Sequence, residues 1–538
     1  MTNNIKNNNL NLLIKIFLAV LAGFLLVYSL PNRNLNFNLG FLAWFGITLL
    51  ILNIRLANSK KESFYITIIS SILYYSTIYL WTNRFGVYVW LLASIFFGSL
   101  MGLWGIAVYI FEKNQPKNIC VFLIPTSLVI FEHLKTFGIL GTNWGSLSYL
   151  QYKDLYLIQI AGLLGMYSIT FIMALFGYFI SEIIINYKKT PILETLKKYI
   201  FIPILIICVY IYGFLSINLD KSNDKNNIKP IKVALLQPSF DMLIKKDSSK
   251  TYMMTKTLYE MTKKIVENDK DTDLIVWPES SLPGLNNNPY VTGFMENLAK
   301  ETNTNIIYGV ISLDEENKKH NSAVYYNNEG KYQGLCSKKH LVPFGEYVPI
   351  SNKLRKVHPL LSLVPEYEPG DPEKDKGVFE INGTKFGIIV CFDSNFQHYV
   401  KESVKNGANF VTIITNDGWF ENYDATEDHI SWNVIRAVEN RVPILQSANT
   451  GISAVIDKYG RVTKRIGVFQ RGYISDDIKI TKSGSLYTKI GNIFTYLSYL
   501  FLLLCIADII NKKKYMFKNI PCVSFFHKFN KNKENKEN

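Results

Sequence analysis

A chain of 538 residues is too long for one compact core, and a hydrophobic content of 48% is high for a protein dissolved in water. The net charge of +15 invites a nucleic-acid reading, but much of it sits in loops between apolar stretches and in a lysine-rich tail, where anionic lipid is the commoner partner. Nucleic-acid binding is set aside on that ground.

In chain order, a tail at 1–10 precedes a region, 11–218, where charges are sparse. Apolar stretches recur there at about 11–30, 38–54, 64–82, 86–111, 119–135, 158–185 and 199–218, each near the roughly 20 residues a helix needs to cross a bilayer. The side chains are apolar around the whole helix and not along one stripe, so buried helices of a soluble core fit poorly. An eighth stretch, 489–510, follows much later, before a basic tail at 511–538. The pattern predicts a polytopic helical membrane bundle of about eight spans.

Lysine and arginine near helix ends favour the cytoplasmic side. Lys6, Arg55, Lys60, Lys61, Lys113, Lys117, Lys188, Lys189, Lys197 and Lys198 fall in the N-terminal tail and the even loops, whereas the odd loops offer Arg33, Arg84, Lys135 and Lys153. Both termini are therefore expected inside, and the segment between helices seven and eight outside. The first helix reads as an uncleaved signal anchor.

Residues 229–485 have another texture. Short β-rich runs such as "IKVALLQPS", "DLIVWPES", "TNIIYGVI" and "NFVTIITNDGWF" alternate with spacers such as "TYMMTKTLYEMTKKIVEN", which predicts an α/β domain with buried sheet. Its only cysteines are Cys336 and Cys391, too few for a disulfide framework, and no CxxC or paired His/Cys metal spacing occurs. Neither a metal nor a cofactor is expected.

In "IIVCFDSNF", residues 388–396, Cys391 closes an apolar run. A lone cysteine there is more often a packed core thiol than a nucleophile. A nucleophilic thiol needs a base, and the oxyanion it creates needs a fixed positive donor. "VWPESSLPG" places Glu279 just past a strand stopped by Pro278, and "CSKKHLVPFGEYVP" supplies Lys338, Lys339 and Glu346. Each alone reads as a surface or turn charge; together at strand ends they form a Glu/Lys/Cys set.

At these residues the chain resembles the nitrilase, or carbon-nitrogen hydrolase, superfamily, whose glutamate, lysine and cysteine sit on strand ends of an αββα sandwich. Within it the phrases resemble the membrane-embedded apolipoprotein N-acyltransferase family of bacteria. They are "WPES" around Glu279, "KKHLVPFGEYVP" from Lys338, "TNDGWF" from Thr415, "DHISWNVIRAVENRVPILQSANTGISAVID" from Asp428, and "LQPS" near the start of the domain. Seven helices, a catalytic domain and one more helix match as well.

The resemblance implies that Cys391 is the nucleophile, Glu279 the general base and Lys338, two residues before His340, the cation at the tetrahedral intermediate. It implies a supporting role for Glu346 and substrate contacts for Trp144, Phe392 and Trp419. Glu132, Lys135, Gly141 and Trp144 keep the spacing of the family's loop between helices five and six. The implied reaction is a ping-pong transfer of a fatty acyl chain from a phospholipid to the α-amine of a diacylated apolipoprotein, in the bacterial inner membrane with the catalytic domain on the periplasmic side. A membrane-tethered amidase or nitrilase is the second class, and a non-catalytic scaffold is disfavoured by the complete triad.

Three departures bear on lipid and acceptor contacts. Cys391-Phe392-Asp393 replaces Cys-Tyr-Glu, "GTNW" from Gly141 replaces Gly-Phe-Pro-Trp, and "LQPSFDMLIKKDSSK" lacks the usual tryptophan.

Overall fold

The computed structural model describes residues 11–32, 38–219, 229–349, 355, 361–362, 364–371, 375, 377–420, 424–480 and 483–514. The tail at 1–10 with Lys6, Arg33, the tail beyond 514 and the side chain of Trp419 lie outside the described residues.

Helices Leu12–Tyr28, Leu42–Arg55, Lys60–Ile78, Val87–Asn114, Lys117–Leu134, Tyr167–Asn186, Phe201–Asn218 and Ile493–Lys514 fall on the apolar stretches. Among the described residues, five are long and apolar enough to cross a membrane: those starting at Val87, Lys117, Tyr167, Phe201 and Ile493. Leu12–Tyr28 and Leu42–Arg55 are apolar but shorter. Lys60–Ile78 is diluted by serine, threonine and tyrosine, several of which are buried against its neighbours: Ser70 Oγ donates to the Ala19 carbonyl at 2.7 Å, a bond between helices of the kind that holds apolar bundles together. The last helix runs on to Lys514, so the tail begins later than residue 511.

The stretch expected as a span over 158–185 is a helix only over Tyr167–Asn186. Before it come two single-turn helices, Leu155–Ile158 and Ala161–Leu164, ended by Gly165 at φ +80°, where a Cβ would lie 2.7 Å from the Tyr487 ring. Apart from Tyr156, which is exposed, these turns are covered by protein. Gln159 Nε2 donates to the Tyr459 carbonyl, and the Met166 amide donates to Glu439. Hydrophobicity alone does not distinguish burial in protein from burial in lipid.

The second part is an αββα sandwich, as expected. One six-stranded sheet has the order β12-β1-β2-β3-β4-β5, with β1 Ile231–Gln237, β2 Leu274–Val276, β3 Asn305–Leu313, β4 Lys319–Tyr326, β5 Tyr332–Ser337 and β12 Gly472–Ile478. The other has the order β11-β10-β9-β8-β7-β6, with β6 Val378–Ile381, β7 Thr384–Val390, β8 Phe410–Thr415, β9 Ile444–Ala448, β10 Ser453–Ile456 and β11 Val462–Ile466. In each, three central strands run parallel. Alternate residues face opposite ways along a strand. Val233 and Leu235 thus enter the core shared with Ile388, Val390, Phe410 and Ile414, while Ala234 and Leu236 pack outward near Leu258 and Met295 of helices Thr251–Asn268 and Pro289–Thr302.

The other outer layer, helices Gln397–Lys405 and Ala425–Asn440, shares its core with the membrane helices. All of Ala425–Asn440 is buried. The two parts of the molecule are packed as one body along this helix.

Candidate active site

Parallel strands need crossover connections, so consecutive strand ends of both sheets open onto one edge. Glu279 follows β2, Lys338 follows β5, Cys391 follows β7, and Thr415 ends β8. Residues scattered over more than a hundred positions meet there.

Trp277, whose indole donates to Thr262 at 3.0 Å, anchors the turn that carries Glu279. The Glu279 carboxylate is 5% exposed; Oε1 accepts from Asn321 Nδ2 at 2.5 Å, Oε2 from the Asn416 amide at 2.7 Å, and Lys338 Nζ lies 3.7 Å away. Lys338 is 2% exposed and bonds Glu346 at 2.9 Å, while Glu346 in turn accepts from Asn321 and from the Val342 amide. Burial works against the ammonium, but Cys391, Glu346 and Glu279 outweigh it and hold Lys338 well above its ordinary range. Lys339 points elsewhere, its ammonium 6.0 Å over the Tyr399 ring.

Cys391 has φ +49°, a left-handed conformation that costs a side-chain-bearing residue about 1–2 kcal/mol, and starts the 3₁₀ turn Cys391–Asn395. That kink turns the thiol out of the β7 ladder toward Glu279 and Lys338. Burial pushes the thiol well up and the charge of Glu279 adds to it, with Lys338 and a hydrogen bond from Thr415 acting the other way. On balance burial favours the protonated thiol. Cys336, by contrast, is 2% exposed between the sheets and donates to the Ile388 carbonyl at 3.3 Å. It packs inside the core between the sheets, whereas Cys391 lies at the core's edge.

Asp393 joins the two sheets at this edge. Its Oδ2 accepts from the Lys339 amide at 2.9 Å and its Oδ1 from the His340 amide at 2.7 Å, so the shorter acid still holds the lysine loop against the cysteine turn. Burial raises this carboxyl to about 7 against those two bonds. Burial and nearby Lys338 lower the His340 imidazole to about 4, and its ring stacks 3.9 Å from that of Phe396.

The membrane part supplies the rest of the wall. In "GTNW", the Asn143 amide and Thr142 Oγ1 both donate to Asn395 Oδ1, at 2.7 and 3.1 Å, and Asn143 Nδ2 donates to the Asn395 carbonyl at 3.0 Å. Trp144 Nε1 donates to Asp428 at 2.9 Å; its ring stacks on Trp81 at 5.1 Å and meets Trp432, Phe420 and Phe392 at 5.0, 5.4 and 6.5 Å. Arg84 donates to the Gly418 carbonyl at 3.0 Å. Glu132 accepts from the Leu147 amide and Thr170, and Lys135 Nζ lies 3.3 Å from the Tyr75 hydroxyl, so both brace the loop from behind and neither reaches the sulfur turn.

Glu279, Lys338, Cys391, Glu346, Phe392 and Trp144 are thus brought together. Trp419 sits in the turn Asp417–Trp419 beside them. Sequence reasoning missed Asn321, Asn395 and Asn416. Asn416 lies within the "TNDGWF" phrase, but Asn321 is signalled only by strand pairing, which sets Ser322 opposite Ser337 and so brings Asn321 beside Lys338.

The chain matches the family model described as carbon-nitrogen hydrolase over residues 232–487 and that of the apolipoprotein N-acyltransferase N-terminal domain over residues 22–179. It is 30% identical over 493 residues to the apolipoprotein N-acyltransferase of Geobacter metallireducens, covering 89% of this chain and 92% of that one. It is 27% identical to the Haemophilus ducreyi protein of that name, over 83% and 88% of the two chains. With apolipoprotein N-acyltransferase 1 of Treponema denticola it shares 25% identity over 94% and 98%. Both halves match in order, and the likeness to the Geobacter relative spans almost the whole of each chain, so this chain belongs to the apolipoprotein N-acyltransferase family.

Proposed function

We propose that the protein transfers a fatty acyl chain from a phospholipid to the N-terminal α-amine of diacylglyceryl-modified apolipoproteins. The observation that carries this reading is the junction of the cysteine turn with the membrane part: Asn395, four residues after the nucleophile, is held by Thr142 and Asn143. A hydrolase of small soluble substrates has no use for that attachment.

In the first half-reaction Glu279 takes the Cys391 thiol proton as the sulfur attacks the ester carbonyl, and Lys338 faces the oxyanion. The carbon–oxygen bond breaks, the proton passes from Glu279 to the departing glycerol oxygen, and an acyl thioester remains. In the second, the acceptor amine attacks and gives a proton to Glu279, the carbon–sulfur bond breaks with its electron pair on sulfur, and that proton passes from Glu279 to the sulfur, leaving an amide and the free thiol. Glu346 keeps Lys338 in place. The aromatic wall of Trp81, Trp144, Phe392, Phe420 and Trp432 makes a dry, acyl-compatible mouth that favours amine over water.

In this reading eight helices, in residues 11–218 and 489–510, span the bacterial inner membrane, and residues 229–485 lie on the periplasmic face with both termini cytoplasmic, as the loop charges favour. A reporter fused after Lys229 is then active only outside the cytoplasm, and one after Lys514 only inside.

The decisive experiment mixes the protein with phospholipid and no acceptor. Intact mass rises by one acyl chain, neutral hydroxylamine removes it, and peptide mapping places it on Cys391 and not Cys336. An adduct that persists in Cys391→Ala sinks the assignment, and rapid discharge by water before any amine is added favours an amidase.

A further inference from the structure

Behind the sulfur lies a set of buried polar side chains that the half-reactions above leave unused. Thr415, Asp417, His429 and Ser394 are 0, 2, 1 and 0% exposed. Thr415 Oγ1 lies 3.2 Å from Cys391 Sγ and 2.7 Å from Asp417 Oδ1; His429 Nδ1 lies 3.0 Å from the same Oδ1; and Ser394 Oγ lies 3.1 Å from His429 Nε2.

One hydroxyl hydrogen faces two acceptors. Thr415 can give it to the carboxylate or to the sulfur, not fully to both. While the sulfur is a thiol, the nearer carboxylate is the better acceptor. Once the sulfur is a thiolate both bonds are charge-assisted, and because His429 already meets Asp417 Oδ1 while the new charge on sulfur needs a donor, the hydrogen turns to the sulfur. Asp417 is not left bare by that turn, because His429 Nδ1–H still donates to the same oxygen. The donor must be Nδ1, since a carboxylate only accepts, and Ser394, in the nucleophile's own turn, can complete this arrangement by donating to Nε2. A position for the carboxylate is kept open by Gly451, where a Cβ would come within 2.2 Å of Asp417 Oδ2. That Oδ2 is buried and has no hydrogen-bond partner among the described residues, a costly arrangement for a group that only packs.

We propose that the Thr415 hydroxyl is a further catalytic group, a switchable donor to the Cys391 sulfur whenever it is a thiolate, with Asp417, His429 and Ser394 as positioning residues that let it turn. The donor acts twice: as the proton leaves for Glu279 before attack, and as the carbon–sulfur bond breaks and the sulfur departs with the electron pair. No proton leaves Thr415 in either step. The inference rests on Cys391 being the nucleophile.

The test is run on the full-length protein in detergent. Iodoacetamide alkylation of Cys391 is followed against pH without lipid, and thioester formation and amine discharge are timed by intact mass. Glu279, Lys338 and Asp417, from the ends of β2, β5 and β8, all face the sulfur and are left unchanged, so a shift reports the hydroxyl. Thr415→Val is expected to move the alkylation profile up by about one pH unit and to slow both half-reactions about tenfold to a hundredfold, as for a lost hydrogen bond to a charged group. Thr415→Ser stays within about threefold of wild type, since it keeps the donor. His429→Phe moves the profile the same way but less, because Asp417 then keeps the threonine hydrogen.

Unchanged profile and rates in Thr415→Val overturn the proposal, as does Thr415→Ser being as slow as Thr415→Val. An unmoved His429→Phe profile overturns the positioning roles, and decides the matter alone where Thr415→Val does not hold its fold. Failure of the wild-type protein to form the Cys391 thioester would instead sink the acyl-transfer reading, while the lipid-free alkylation comparison still stands.

Discussion

The two outer helical layers of the sandwich are built on the same plan and end in different surroundings. Thr251–Asn268 and Pro289–Thr302 present one apolar face to the first sheet and leave the other exposed, with Tyr252 at 77% and Tyr290 at 87%. Ala425–Asn440 on the second sheet has no exposed residue, and its polar side chains are paired with the membrane part: Arg436 reaches the Tyr149 hydroxyl at 2.8 Å, and Glu427 accepts from Tyr152 at 2.9 Å. Cys391 follows a strand of this covered sheet, and Glu279 and Lys338 follow strands of the other. The comparison teaches that the sandwich is joined to the apolar helices through one layer, the one that packs on the sheet carrying Cys391.

The largest expected effect lies where the two sheets meet. Replacing Lys338 by Arg keeps the charge but spreads it over a planar group that does not fit between Glu346 and Glu279. Acyl transfer measured with a phospholipid donor should fall by orders of magnitude, whereas Lys339→Ala changes it little. Equal losses would show that the cation has been assigned to the wrong lysine.

Next is the seam with the membrane part. Asn143→Ala removes one of the two donors to the Asn395 carbonyl, the Tyr149 hydroxyl remaining at 3.3 Å, and takes from the buried Tyr167 hydroxyl its acceptor at 2.8 Å. A buried polar group left without its partner costs about 1–3 kcal/mol, so the melting temperature in detergent should drop by about 1–3 °C and acylation by about tenfold. A variant as stable and as active as wild type would mean that the seam only packs.

Much of this was legible in advance because it is linear. The WPE turn, the lysine phrase and the cysteine run each announce a strand end, and the departures were visible as residue changes. What Asp393 does was not, since a carboxylate accepting from two amides more than fifty positions away follows from sheet packing and not from any local pattern. The segment 158–166 misled for the opposite reason: protein and lipid reward the same apolar residues, and only Gly165 hints that the helix restarts.

Asp393 gives a smaller effect, read in pH. Its carboxyl is raised by burial to about 7 from an ordinary value near 3.8, so between those values the folded protein binds the proton and the unfolded chain does not. Stability from this group is full below about pH 4 and is lost as pH rises through 7, by on the order of a few kcal/mol. Melting temperature in detergent followed from pH 4 to 8 should fall less steeply in Asp393→Asn than in wild type. Parallel curves would show that Asp393 is ionised throughout and held by its two amide donors.

The smallest effect is expected on the water-facing layer, and it completes the contrast. Lys263 and Glu301 pair at 3.0 Å between the two exposed helices, with side chains 31 and 46% accessible. Water already solvates both charges, salt screens them, and holding two long side chains in one geometry costs entropy, so such a pair contributes little. Lys263→Ala should leave acyl transfer unchanged and the melting temperature within about 1 °C of wild type in a chain of this size. A drop matching that of Asn143→Ala would mean that the outer helices of the first sheet are as tightly bound into the fold as the covered helix, and the asymmetry between the two layers would then be one of solvent exposure alone, with no difference in what each contributes to holding the site together.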